Sequence, residues 1–234
     1  MTATAAAITA RSSPGERVPP LINGDQLTRA EFERRYRATP NVNKAELIEG
    51  IVYMPSPVRA NRHGNPHSLL NIWLGLYLIK TPGLLIYDNA TTRLDGDNEP
   101  QPDVMLMIPQ HAGGSARIDE DDYVSGAPEL VGEIAASSVS IDLHAKLNAY
   151  RRNGVREYLV WRTEDQAIDW FILRPTGYVQ LPADHAGMVR SETFPGLALE
   201  PAALLAGDLP RLFALLDRTA TGDEHAAFVR RLKA

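Results

Sequence analysis

The chain has 234 residues, 44% of them apolar, which suits one globular domain with small appendages. It contains no cysteine, so disulfides, zinc–thiolate sites and thiol catalysis are excluded. The net charge of −5 argues against binding of nucleic acid through the overall charge of the protein. It does not exclude a local basic groove or a metal ion that neutralises phosphate. No apolar stretch is long enough to span a membrane, and the alanine-rich start lacks the basic region of a signal peptide, so we expect a cytoplasmic protein.

The first third of the chain predicts an arm, a helix and a hairpin. Residues 1–20 are rich in Ser, Pro and Gly with little periodicity, which indicates a flexible arm. A capping-box pattern predicts a short helix over residues 29–37. Residues 46–54 predict two short strands joined by a tight turn at Glu49 and Gly50.

The rest of the chain alternates between strand and helix patterns. Helices are predicted over 63–80, 142–152, 201–206, 209–218 and 223–232, and strands over 84–94, 103–108, 130–134, 155–161, 167–173 and 178–181. The last helix is polar enough to fray or to pack on a partner. This order predicts an α/β fold with one central mixed sheet flanked by helices. We place the main domain at residues 21–205 and a helical extension at 206–234.

Two acidic residues lie on neighbouring apolar segments. Asp103 opens one run, where an acid is often only a turn residue or an edge solubiliser. Glu133 lies inside the apolar run 130–136, where an unpaired carboxylate is costly unless it has a cation, a metal or a raised pKa, or points outward. On adjacent strands the pair would supply two oxygens to Mg²⁺, with the backbone carbonyl of Ile134 as a further ligand. This donor set is typical of metal-dependent phosphodiester hydrolysis.

A predicted helix follows the second acid. Asp142, Lys146 and Tyr150 are spaced by four residues and therefore share one helical face. Asp142 and Lys146 alone would be an ordinary surface ion pair. Because a short loop joins this helix to the strand of Glu133, Lys146 is also placed to orient an attacking water and to offset charge in the transition state. Tyr150 is more often a packing residue.

Other polar residues are weaker candidates. Glu46, at the start of the hairpin, is a possible third acid near the metal. His63 and His67 are spaced by four residues, as in a zinc site, but such a site needs a third ligand. His63 fits better as a helix cap or as a contact to phosphate or water. His144 is out of phase with Lys146 and is expected to be solvated.

These segments resemble the Uma-two family of restriction-endonuclease-like proteins, within the PD-(D/E)XK nuclease superfamily. The likeness covers about residues 26–205. The segments that carry it are Glu46-Leu47-Ile48-Glu49-Gly50, Pro55-Ser56-Pro57, His63-Gly64, Pro102-Asp103-Val104, residues 126–131, Glu133-Ile134, Asp142, Lys146, Tyr150, residues 154–160 and Phe194-Pro195-Gly196-Leu197.

The resemblance implies a restriction-endonuclease-like core and Mg²⁺-dependent DNA cleavage, with Mn²⁺ as a substitute. It implies that Asp103 and Glu133 are metal ligands, that Glu46 is the acid of the first motif and that Lys146 is the catalytic lysine. The chain departs from the superfamily pattern at Ala135, where a lysine is expected two residues after the second acid. Lys146 would replace that lysine from the helix. A second departure is Ala136-Ser137-Ser138, where relatives tend to carry Ser-Pro-Ser.

Two functions remain open at this stage. One is a nuclease, which the Asp103, Glu133 and Lys146 set favours; the other is a non-catalytic binding or assembly module, which the acidic balance and Ala135 favour. We also expect a homodimer. The basis is amphipathic segments at 209–216 and 226–232, and three aromatic residues expected to be exposed: Trp161, Trp170 and Phe171.

Overall fold

The structure is a computed structural model that describes residues 17–55 and 57–234. Most of the predicted flexible arm, and Ser56 of the Pro-Ser-Pro motif, lie outside the described residues. Over the described ranges the α-helices are α1 (Arg29–Arg37), α2 (Asn65–Lys80), α3 (Leu147–Asn153), α4 (Pro201–Leu205), α5 (Leu209–Thr219) and α6 (Asp223–Leu232). The strands are β1 (Glu46–Ile48), β2 (Ile51–Tyr53), β3 (Leu85–Asp88), β4 (Thr92–Arg93), β5 (Val104–Met107), β6 (Arg117–Ile118), β7 (Val124–Ser125), β8 (Leu130–Ala135), β9 (Glu157–Arg162), β10 (Ala167–Arg174), β11 (Gly177–Gln180), β12 (Val189–Arg190) and β13 (Ala198–Leu199).

Several predicted boundaries differ from the observed ones. The strand predicted over 84–94 is two strands, β3 and β4, and the loop between β5 and β8 contains β6 and β7. The helices α2 and α3 are shorter than predicted because each is preceded by a π-helical turn, Ala60–Gly64 before α2 and Ile141–Lys146 before α3. Such turns in helices are frequently found at functional sites.

The central sheet has six strands in the order β11-β10-β9-β8-β5-β3. The strands β8 and β9 are parallel, and every other neighbouring pair in this sheet is antiparallel. The connection from β8 to β9 runs through the π-helical turn and α3, as a parallel pair requires a crossover. The predicted mixed sheet flanked by helices is confirmed.

Helices cover both faces of the sheet, and alternation along β8 divides its side chains between them. Leu130 and Ile134 face the core that contains α2, while Val131 and Ala135 face the core that contains Tyr150 of α3. Glu133, which lies between Val131 and Ala135 in the alternation, is therefore directed to the α3 face.

Close packing of α2 requires a glycine at position 132 of β8. A Cβ atom there would lie 2.9 Å from Cγ1 of Val104 and 3.1 Å from Cδ2 of Leu70. Both distances are shorter than ordinary van der Waals contacts, so Gly132 allows α2 to pack against the strand that carries Glu133.

The predicted hairpin is formed by β1 and β2. Glu49 and Gly50 at its turn both have positive φ, 51° and 76°, as in the two-residue turns that suit the twist of a hairpin. Phe32 of α1 and Leu47 of β1 are fully buried in a small core of their own. The hairpin is joined to the rest of the molecule by backbone hydrogen bonds between Leu47 and Glu99.

The C-terminal helices pack on the main body of the chain. Leu212 and Leu216 of α5 and Phe228 and Leu232 of α6 belong to the same core as α2. The expectation that the last helix frays or packs on a partner is therefore wrong, because its apolar face is buried against its own chain. The domain boundary at residue 205 remains a prediction.

Two of the aromatic residues expected to be exposed are buried. Trp161 and Trp170 are only 3% and 2% exposed, and Phe171 is partly buried. That basis for a homodimer is therefore wrong, since these rings fill the monomer core. Among the described residues, no helix is both long and apolar enough to cross a membrane.

Candidate active site

The two predicted acids lie side by side where β5 begins and β8 ends. Val104 pairs with Gly132 at the end of the β5–β8 ladder, so Asp103 is the next neighbour of Glu133. Oδ2 of Asp103 accepts the backbone N–H of Ile134 at 2.8 Å, which fixes the carboxylate against β8. Asp103 and Glu133 are 4% and 3% exposed. The interpretations of either acid as an outward or turn residue are therefore wrong.

Lys146 reaches this acid pair from the helical connection. Its Nζ atom donates to Oε1 of Glu133 at 2.9 Å and lies 3.0 Å from Oε1 of Glu46 and 3.8 Å from Oδ1 of Asp142. Both Lys146 and Asp142 are buried, so the interpretation of this pair as a surface ion pair is wrong. The lysine lies among three carboxylates, as the helical spacing and the short loop allow.

Tyr150 and Ser138 complete the polar contacts on the same face. The hydroxyl of Tyr150 donates to Oε1 of Glu133 at 2.7 Å, and Oγ of Ser138 donates to Oδ2 of Asp142 at 2.5 Å. Sequence reasoning favoured a packing role for Tyr150, but its hydroxyl positions Glu133. Its spacing of four residues from Lys146 was the signal for this role. Nothing in the local sequence indicated the contact of Ser138.

The hairpin delivers Glu46 to the site from the other end of the chain. Its Oε1 atom accepts the backbone N–H of Gln101 at 2.7 Å as well as the ammonium of Lys146. Glu46 is 8% exposed. The structure therefore places the third predicted acid beside the lysine.

Two histidines contact Asp103, His63 from the π-helical turn before α2 and His67 from the first turn of α2. Nε2 of His63 lies 3.3 Å from Oδ2 of Asp103, and Nε2 of His67 lies 2.8 Å from its backbone oxygen and 2.9 Å from Oδ1 of Asp88. Nδ1 of His63 is buried, with no hydrogen-bond partner among the described residues. His144 is exposed, as expected.

The site contains more negative than positive charge. Burial raises the pKa of Glu133 to about 8, and the neighbouring acids add to this effect while Lys146 opposes it. Burial alone would lower the pKa of Lys146, but Glu133, Glu46 and Asp142 outweigh it and hold the pKa well above its usual value. Burial also raises the pKa of Asp142. Burial acts in the same direction on Asp103, but His63, the backbone N–H of Ile134 and Lys146 together outweigh it and lower the pKa of Asp103. The site thus contains four acids and one ammonium, which contacts three of them, and this balance favours a further cation.

The donor atoms fit a hard divalent cation. Asp103 makes its side-chain contacts through Oδ2, and Glu133 makes its contacts through Oε1. Within the described ranges, Oδ1 of Asp103 and Oε2 of Glu133 therefore make no hydrogen bond. The carbonyl of Ala135 faces β9, where it accepts the backbone N–H of Thr163. Carbonyls alternate along a strand, so the carbonyl of Ile134 faces the opposite way, toward Asp103 and past the last paired residue of β5. Carboxylate and carbonyl oxygens are the ligands of Mg²⁺.

A zinc site at the histidines finds no support in residues 17–55 and 57–234. No three His, Asp or Glu side chains in those ranges are arranged to hold a metal ion by themselves. A cation at this site would therefore be held by two carboxylates and a backbone carbonyl, with its other positions left to water or substrate oxygens.

A mixed sheet flanked by helices, with acids and a lysine buried where β8 ends, is the arrangement of a restriction-endonuclease-like nuclease. The model of the Uma-two family, described as "Putative restriction endonuclease", matches residues 29–202, and the chain belongs to this family. The resemblance noted in the sequence is thereby confirmed.

A solved structure is similar to this protein over most of the chain. It is a crystal structure described as a putative nuclease belonging to DUF820 from Anabaena variabilis, with 15% sequence identity and a TM-score of 0.51. The match covers 78% of this chain and 97% of that one, so the two proteins share their fold over nearly the full length of the relative. A comparison with curated proteins found no match.

Proposed function

We propose that this protein is a metal-dependent endonuclease that hydrolyses phosphodiester bonds of DNA. The observation that carries the proposal is a buried group of four acids and one lysine. Lys146 contacts three of the acids, Asp103 lies beside Glu133, and Asp103 and Glu133 each keep one oxygen without a hydrogen bond. The family description supports the nuclease class and, through the word restriction, DNA as the substrate.

In this proposal Asp103, Glu133 and the carbonyl of Ile134 hold Mg²⁺, for which Mn²⁺ can substitute. Such a cation supplies a Lewis acid for phosphate and lowers the pKa of a bound water. The cation would also balance the excess of buried carboxylates. This role accounts for a group of acids that is otherwise costly to bury.

The protein groups act by positioning and by charge. Tyr150 and Lys146 both donate to Oε1 of Glu133, which directs the other oxygen of Glu133 away from them. Lys146 is proposed to orient the attacking water and to stabilise negative charge on the oxygens of the pentacoordinate phosphorus, as one preorganised electrostatic contact. Glu46 also contacts the ammonium and helps to hold it in place. Nδ1 of His63, which lacks a partner among the described residues, is proposed as a contact to phosphate or water.

The departure at Ala135 does not remove the lysine from the site. In the superfamily pattern the lysine lies on the strand, two residues after the second acid. Here Nζ of Lys146 reaches that acid from the helix and lies 2.9 Å from Glu133. This contact favours the nuclease over a non-catalytic binding or assembly module.

We further propose that the protein is a homodimer. Exposed apolar side chains remain on α2 and α5: Ile79 is 75% exposed, Phe213 is 49% exposed and Ile72 is 43% exposed. Closed two-fold pairs are the commonest assembly, and an enzyme that cuts both strands of a duplex gains from two sites. Light scattering that returns the monomer mass of 25.7 kDa at micromolar concentration would refute the dimer.

The function is tested by metal binding and by cleavage. Saturating Mg²⁺ or Mn²⁺ should raise the melting temperature, since a ligand at about 100 times its Kd adds roughly 2.7 kcal/mol to stability. The same metals should support cleavage of plasmid or oligonucleotide DNA. Asp103→Asn should lose both effects, and the control Asp97→Asn, which changes an exposed aspartate in a loop, should keep both.

Four outcomes separate the candidates. Metal binding with DNA cleavage supports the proposal, and cleavage of RNA alone would overturn the choice of DNA. Metal binding without cleavage of DNA or RNA would favour the binding or assembly module. A metal response that survives Asp103→Asn would place the metal elsewhere.

A further inference from the structure

A cavity of about 230 Å³ opens on the α2 face, where β9 ends. Trp161 and Thr163 line its buried part, and Asn61, Asn65 and Gln166 line its exposed rim. None of these residues belongs to the acid and lysine site. The cavity is smaller than the roughly 300–1,000 Å³ of sites for drug-sized molecules, so its size suits one heterocyclic ring rather than a whole nucleotide.

Two residues that line this cavity each contain a buried polar atom without a partner among the described residues. The two atoms are the indole Nε1 of Trp161, a residue only 3% exposed, and Oγ1 of Thr163, a residue 8% exposed. The two other tryptophans pair the same atom: Nε1 of Trp73 donates to the carbonyl of Ala198, and Nε1 of Trp170 donates to Glu157. Buried polar groups are nearly always hydrogen-bonded, so a donor and a hydroxyl without partners in the wall of one cavity favour a polar ligand there.

The cavity lies near the same edge of the sheet as the candidate active site, on the face opposite to the side chain of Glu133. Trp161 pairs with Ile134 across β8 and β9, and Ile134 follows Glu133. Strand spacing and rise therefore place the Cα atoms of Trp161 and Glu133 about 6 Å apart. The π-helical turn Ala60–Gly64 connects the cavity and the candidate active site, because its His63 contacts Asp103 and its Asn61 lines the cavity.

We propose that this cavity is a subsite for a single nucleobase of the nucleic acid whose phosphodiester lies at Asp103 and Glu133. The inference rests on the proposed function for the identity of the ligand. Nucleobase edges present both donors and acceptors, which match the indole N–H of Trp161, the hydroxyl of Thr163 and the amides of Asn61 and Asn65. A base enters such a cavity only when it is unstacked, so the subsite takes a base that is flipped out or lies in a single strand.

The subsite is tested by following the indole N–H signals in ¹⁵N-labelled protein. Adenosine, guanosine, cytidine, thymidine and uridine serve as probes, added without metal. We expect the Trp161 signal, assigned through Trp161→Phe, to shift saturably with at least one nucleoside. The signals of Trp73 and Trp170 should stay in place, since both N–H groups are already hydrogen-bonded.

A variant of Thr163 provides the second measurement. Thr163→Val keeps the shape of the side chain and removes its hydroxyl, so nucleoside affinity should fall about fivefold or more. The matched control is Thr221→Val, which removes an exposed hydroxyl in the loop before α6 and should leave affinity unchanged.

Two results would overturn the subsite. One is a Trp161 signal that no nucleoside moves, which would mean that the cavity holds solvent only; the other is an unchanged affinity in Thr163→Val. The titration needs neither metal nor hydrolysis. A negative titration therefore counts against the subsite and not against the proposed nuclease. Inactivity toward DNA would count against the proposed nuclease and would not alter a positive titration.

Discussion

Replacing Lys146 with alanine should destabilise the metal-free protein strongly. The change leaves Glu133, Glu46 and Asp142 buried without the ammonium that contacts all three. Removing one partner of a buried ion pair costs about 3–5 kcal/mol. In a chain of this size each kcal/mol corresponds to roughly 2–4 °C, so the melting temperature should fall by about 6–20 °C. As a surface ion pair with Asp142, the alternative that the sequence allowed, Lys146 would contribute less than about 1 kcal/mol.

Two assays measure this effect with one control. Thermal unfolding in EDTA gives the stability change, and Mn²⁺ should recover part of it, because a cation at the acids replaces the lost charge. DNA cleavage should fall by on the order of a hundredfold, the typical cost of removing one electrostatic contact in a transition state. Lys80→Ala removes a partly exposed lysine that pairs with Asp217, so it should cost less than about 1 kcal/mol and spare cleavage.

The reasoning fails if Lys146→Ala melts within 2 °C of wild type in EDTA, since the acids would then not depend on the ammonium. Unchanged cleavage in this variant would remove Lys146 from the mechanism.

Three further predictions follow from single contacts. Glu133→Gln should keep the fold but abolish the rise in melting temperature with Mn²⁺; wild-type Mn²⁺ affinity would show that the metal binds elsewhere. Gly132→Ala should cost about 1–3 kcal/mol in urea unfolding because its Cβ would crowd Val104 and Leu70, and a neutral result would mean that α2 lies farther away. Burial raises the pKa of Glu99 to about 8, so the folded state holds a proton that the unfolded state loses near pH 4.5; stability should fall by roughly 1–4 kcal/mol as pH rises from 4.5 to 8, and Glu99→Gln should flatten that slope.

Local spacing predicted the helical part of the site. The four-residue intervals between Asp142, Lys146 and Tyr150 place all three on one face, and all three are buried there. A lone carboxylate in an apolar strand likewise marked Glu133 as a residue that needs a partner. These inferences rest on periodicity, which the sequence displays directly.

The rest of the site depends on contacts between distant segments. The contact of Glu46 with Lys146 spans 100 positions, and no local pattern specifies it. Trp161 was expected at the surface because an apolar strand does not reveal which of its residues α2 covers. The π-helical turns were also missed, since their sequences read as ordinary helix starts.

The single parallel pair of the sheet has a consequence for the order in which the protein folds. The β8–α3–β9 crossover holds Glu133 and Lys146 only 13 residues apart, so their contact closes a short loop. Bringing Glu46 to the same ammonium closes a loop several times longer, which costs about 2 kcal/mol more in chain entropy. Short-range contacts form first on this basis, and the hairpin docks later. A folding intermediate that contains the crossover alone would hold the lysine with one of its acids and would lack the rest of the site.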